Sequence, residues 1–153
     1  MVFSAAIGGE TGRPLSSILF CLAEEVLSRV TTKLVQEGKV ELIKSSINHF
    51  VPSHTLYAND VMIFSKGKMS YIQALKQLFI DYANCSGQII NPAKSIMYSG
   101  SIPSNILNYI DEMLVFNIGT LPFMYLGVPI FKGKPKSSYL QPIADKINLK
   151  FAS

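Results

Sequence analysis

The chain has 153 residues, of which 48% are hydrophobic, 16% charged and 10% aromatic, a length that fits one globular domain or part of a larger one. Charge lies well below the ~25% usual for soluble domains, so a packed core is within reach and disorder over most of the chain is excluded. Fourteen Lys and Arg against ten Asp and Glu leave +4, which permits a polyanionic partner without requiring one, and no run reaches the ~18 consecutive apolar residues of a membrane span.

Residues 1–9 are small and apolar with no basic segment before them, so no secretory leader is expected. The expectation is an intracellular protein, nuclear or cytoplasmic, without a membrane partner. Gly8 to Gly12 reads as a loop feeding a helix N-terminus. From Pro14 to about Gln36, Leu15, Ile18, Leu19, Leu22, Val26, Leu27, Val30 and Leu34 recur at three- and four-residue spacings, which predicts an amphipathic helix. Pro14 suits its first turn, where a missing N–H costs nothing, and Gly38 ends it. Cys21 and Cys85 are too few for a disulfide framework or a thiolate metal site and are expected as small core residues. His49 and His54 flank Pro52 in a loop-like stretch and are expected at the surface.

Thr55 to Phe64 is β-prone on both sides of Ala58-Asn59-Asp60, predicting a hairpin with Asn59 and Asp60 at its tip. A second helix runs from Met69 to about Cys85, with Ile72, Leu75, Leu78, Phe79 and Tyr82 on one face and Gly87 as its stop. Gln88 to Asn91 and Ser95 to Tyr98 look like short strands around Pro92 and Lys94. A third helix starts near Pro103 or Ser104 and carries Ile106, Ile110, Met113 and Leu114. Phe123 to Phe131 reads as a strand pair or bent strand interrupted by Gly127 and Pro129. After Lys132, Lys134 and Lys136 comes a last amphipathic piece holding Tyr139, Ile143 and Ile147. This order predicts an α+β fold, a small antiparallel sheet backed by helices.

Hydrolytic triads are excluded, since the two histidines sit near no HExxH or nucleophile-elbow pattern. Gly127 to Lys134 fails as a phosphate loop: its spacing is one residue too long, and Pro135 stands where Ser or Thr must bind magnesium.

Gly-Arg-Pro-Leu-Ser-Ser-Ile-Leu-Phe (Gly12 to Phe20), followed by Leu-Tyr-Ala-Asn-Asp-Val-Met-Ile-Phe (Leu56 to Phe64), resembles the paired signatures of a reverse transcriptase palm. The resemblance is closest to plant LINE-type (non-LTR) retrotransposon enzymes. It extends through Ser-Gly-Gln-Ile-Ile-Asn-Pro-Ala-Lys-Ser (Ser86 to Ser95) and Leu-Pro-Phe-Met-Tyr-Leu-Gly-Val-Pro-Ile (Leu121 to Ile130), covering roughly residues 8–150. It implies the C-terminal part of a right-hand polymerase palm over 1–118, with primer-grip-like strands and the start of a thumb over 119–153. RNA template and DNA primer would be the partners. Asp60 would ligate Mg2+, Tyr57, Gly12, Arg13, Pro14 and Lys94 would line the nucleotide and template pocket, and Lys132, Lys134 and Lys136 would meet the nucleic-acid backbone.

The chemistry gives the reason for such residues. Nucleotidyl transfer uses two divalent cations ~3.5–4 Å apart, and magnesium takes hard carboxylate oxygens held rigidly, as adjacent acids on a hairpin supply them. Three departures from the family pattern argue against activity. Asn59 stands where the hairpin has its first aspartate. Thr11 and Arg13 replace a usual glutamine and aspartate. Residues 1–11 lack the further catalytic aspartate found upstream of the Gly-rich loop. The expectation is an inactive piece of an RNA-directed DNA polymerase. The alternatives are a non-catalytic nucleic-acid-binding module and a remnant without function.

Overall fold

The computed structural model describes residues 1–8, 14–44 and 51–151. They belong to two compact units, Met1–Gly119 and Thr120–Ser153. Unit 1 contains strands β1 (Val2–Gly8), β2 (His54–Tyr57), β3 (Asp60–Phe64), β4 (Ile89–Tyr98) and β5 (Asn117–Gly119), with helices α1 (Pro14–Gln36), α2 (Met69–Ser86) and α3 (Ser104–Leu114). Its strands form one sheet in the order β2-β3-β1-β4-β5. Pairing is antiparallel except between β4 and β5. The fold is α+β with a mostly antiparallel sheet.

The central strand β1 is the element that periodicity did not reveal. Val2, Phe3, Ala5, Ala6 and Ile7 are all buried, on both faces of the strand, so the run shows no alternation and resembles no amphipathic template. Phe3, Ala5 and Ile7 join Val61, Ile63, Ile90 and Met97 in the main core. Leu27 of α1, the buried face of α2, and Ile110 and Leu114 of α3 close that core from the other side. All three helices of unit 1 thus cover one face of the sheet.

The α2 face is the one its spacing predicts: Ile72, Leu75, Leu78, Phe79 and Tyr82 are buried. Gly87 ends the helix at φ 70°, and its N–H returns to the Ala83 carbonyl. Burying one such Leu or Ile contributes ~1.5–3 kcal/mol, which is why the face rather than helix propensity fixes α2 on the sheet. Helix α1 behaves differently. Leu27 is buried and Phe20, Ala23 and Leu34 are half-buried, but Ile18, Leu19, Leu22, Val26 and Val30 are exposed. Both cysteines are exposed as well, contrary to the expectation of core thiols. They sit on parts of α1 and α2 that the sheet does not reach.

Two short strands were expected around Pro92 and Lys94; instead β4 is one ten-residue strand with a register shift. Ser4 pairs with Ile96 but Ala6 pairs with Asn91, so extra β4 residues bulge out between them. Buried Ser95 seals the bulge: its hydroxyl accepts from the Ala6 N–H at 3.3 Å and donates to the Asn91 carbonyl at 2.7 Å. Such bulges accommodate Pro within a sheet.

In unit 2, β6 (Phe123–Tyr125) and β7 (Val128–Ile130) form a hairpin, followed by α4 (Ser137–Phe151). Leu126 and Gly127 both take positive φ, 50° and 80°, the pattern of a tight two-residue turn. Phe131 packs on Tyr139 with ring centroids 5.4 Å apart, linking hairpin and helix. No helix among the described residues is long and apolar enough to cross a membrane.

Candidate functional site

The β2–β3 hairpin is the feature from which the site is built. Tyr57 pairs with Asp60, so the two-residue turn is Ala58-Asn59 and Asp60 is the first residue of β3. The tip therefore lies one residue earlier than the sequence suggests. Ala58 carries the left-handed backbone (φ 50°) that the turn demands, a position where Asn or Gly is the commoner choice. The carbonyl of Asn59 accepts a hydrogen bond from the Ile7 N–H at 2.7 Å, which ties the turn to the central strand.

Directly opposed residues of antiparallel strands project from the same face. Tyr57 faces Asp60, Asp60 faces Ala6, and Ala6 faces Asn91. These four form a row across β2, β3, β1 and β4 on the face turned away from the three helices. Neighbouring strands are ~4.8 Å apart, which puts the Asn91 backbone roughly 10 Å from that of Asp60. Asp60 is half-buried, while Tyr57, Ala58 and Asn59 are exposed.

Lys94 is exposed on the β4 bulge, three residues beyond the end of this row. Its N–H donates to Asn91 Oδ1 at 3.3 Å, and Asn117 Nδ2 donates to the Ala93 carbonyl at 2.9 Å, so the bulge is held from both sides. Pro14 is the first residue of α1. Gly12 and Arg13 lie outside the described residues, as does His49. Lys132, Lys134 and Lys136 are exposed in unit 2 between β7 and α4, and the Lys136 ammonium sits 5.8 Å from the Tyr139 ring centroid.

Chemically, the row offers one carboxylate. Ala6 is the β1 residue that shares a face and a register position with Asp60, and β1 as a whole contains no acid. Directly opposed Cβ atoms lie ~4.5–5.5 Å apart, so this is the place from which a second carboxylate could share a cation with Asp60. Among the described residues no three His, Cys, Asp or Glu side chains come together as a metal-binding group.

Two groups outside the row have environments that the sequence did not announce. His54 is half-buried at the start of β2, not a loop residue at the surface: its Nε2 hydrogen-bonds Ser28 Oγ of α1 and its Nδ1 hydrogen-bonds Ser53 Oγ, each at 2.8 Å. Burial lowers its pKa below the usual histidine value. The bond ties the hairpin to α1, a link no local pattern encodes because the partners are 26 residues apart. Glu24, on α1 next to the core residues Ala23 and Leu27, has a buried Oε1 with no hydrogen-bond partner among the described residues, and burial raises its pKa. Its position three residues before Leu27 was the available signal.

No protein-family model matches the chain.

Proposed function

We propose that the chain is part of an RNA-directed DNA polymerase domain of LINE-type retrotransposon descent, unable to polymerise by itself. The observation that supports this reading is the placement of Asp60. It opens the second strand of a tight hairpin, on the sheet face opposite α1, α2 and α3, beside a central strand and an exposed tyrosine. Two-cation nucleotidyl transfer needs more than one carboxylate held rigidly beside the ions, and the position opposite Asp60 on the central strand is where a second would lie within reach. Ala6 fills that position here, and Asn59 brings an amide that carries no negative charge. One carboxylate holds Mg2+ too weakly to set two ions at a fixed separation.

Primer extension by the purified chain tests the proposal. With Mg2+, an RNA template and a DNA primer, no nucleotide is incorporated, and Asn59→Asp does not restore incorporation because Ala6 is unchanged. Magnesium-dependent extension that disappears in Asp60→Ala would overturn the claim of inactivity. Failure of the chain to bind primer-template at all would remove the polymerase descent from its function.

A second reading, a nucleic-acid-binding module without catalysis, draws on the distribution of charge. Unit 1 holds nine of the fourteen cations and nine of the ten acids, and unit 2 holds the other five and one. The whole formal +4 therefore belongs to residues 120–153. Lysines suit phosphate contact without base reading, and all five in unit 2 are exposed.

A further inference from the structure

Helix α1 is apolar on two sides. Leu27 points into the core, and about 100° around the helix from it runs a second stripe formed by Ile18, Leu19, Leu22, Val26 and Val30. These five are 63, 60, 58, 54 and 37% exposed. Beside the stripe, between α1 and α2, lies a groove of about 380 Å³ whose lining includes Leu22, Val26, Leu78, Tyr82 and Cys85. Nothing among the described residues of unit 1 covers the stripe.

We propose that this face is a homodimer interface, closed by the same face of a second copy of the chain. Three observations select that occupant. First, Ile18, Leu22, Val26 and Val30 are spaced four apart, so the ridge they form is symmetric about the level of Glu24. An antiparallel copy crossing there sets Ile18 against the partner's Val30 and Leu22 against the partner's Val26, the ridge-into-groove packing of an isologous two-fold contact.

Second, five side chains this exposed leave on the order of 500 Å² of apolar surface, the upper part of the range for the largest patch on a monomer. Doubled by symmetry, this gives ~1,000 Å², the lower bound for a specific interface. Third, the charges favour like meeting like. Unit 1 has no formal net charge, and within one copy Glu25 pairs with Arg29 at 2.7 Å and Lys33 pairs with Glu37, just past the helix, at 3.8 Å. An anionic bilayer or a strongly charged protein groove would find no complementary excess on unit 1, whereas unit 1 of a second copy, itself neutral, adds no like-charge repulsion at this face.

Sedimentation equilibrium of the full chain across micromolar concentrations tests the proposal. The expected result is a species of twice 16.9 kDa that dissociates on dilution and reverts to monomer in Leu22→Glu. Leu22 is exposed, so this variant leaves the core intact, and an unchanged circular dichroism spectrum checks that. A parent chain that stays monomeric, a dimer that survives Leu22→Glu combined with Val26→Glu, or association that continues past two copies would each overturn the proposal. None of these measurements involves nucleic acid, so they fail or succeed separately from the polymerase reading.

Discussion

Asp60 and Ala6 show how much a single register position decides. The hairpin motif supplies the aspartate, but only pairing across β3 and β1 reveals which residue stands beside it. Introducing Ala6→Asp together with Asn59→Asp should therefore give tighter Mn2+ binding than either substitution alone, measured by calorimetry. Equal affinity for the double variant and Asn59→Asp would show that residue 6 is misplaced for the role. His54 makes a second case at this scale. Its folded-state pKa is lowered by burial, so the unfolded chain binds more protons than the folded one between that lowered value and the ordinary value near ~6.5. The stability His54 contributes is thus complete above that ordinary value and is lost as pH falls through the folded pKa. Melting temperature should drop on acidification below neutrality, and His54→Gln should flatten that part of the profile. Losing the two serine contacts in His54→Ala should cost about 1–2 kcal/mol at neutral pH, and no loss in a urea titration would dissociate the hairpin from α1.

Elements differ in how much their own sequence settles. Helix α2 is legible from residues alone: its five buried positions are the five that its periodicity picks out, and a left-handed glycine ends it. Leu75→Ala, at a fully buried site, should destabilise by about 2–5 kcal/mol. Gly87→Ala, forced to keep φ at 70°, should cost about 1 kcal/mol. Chemical denaturation ranks the two, and the reverse order would contradict the packing described. Helix α1 is legible as a helix but not in its orientation. Its apolar residues extend too far round the axis to identify which ones face the sheet, and the structure chooses Leu27 with Phe20, Ala23 and Leu34. Strand β1 was hidden because an element buried on both faces has no alternation to read. Strand β5 was hidden because three residues beside β4 carry too little pattern. Its Gly119 matters by absence: a Cβ there would come within 2.4 Å of the Tyr98 ring.

At the scale of the whole molecule, charge separates the two units more sharply than composition does. If unit 2 meets phosphates, binding to a primer-template duplex should weaken steeply with salt, and each of Lys132→Ala, Lys134→Ala and Lys136→Ala should lower the log–log slope by about one. An unchanged slope in the triple variant would place the contact elsewhere. The same partition leaves unit 1 neutral, which suits it to self-association through α1 rather than to polyanion binding.

What the residues determined by themselves were the local elements with strong periodicity or turn chemistry, namely α1, α2, α3 and the hairpin around Asp60, together with the charge excess. These depend on neighbours a few positions away, which a linear pattern records. Tertiary structure alone decided that residues 2–8 form the central strand, that Ala6 stands opposite Asp60, that His54 reaches Ser28, and that Ile18, Leu19, Leu22, Val26 and Val30 of α1 are left exposed. Each of these joins segments separated by tens of residues, and their meeting follows from how one sheet face is shared among three helices.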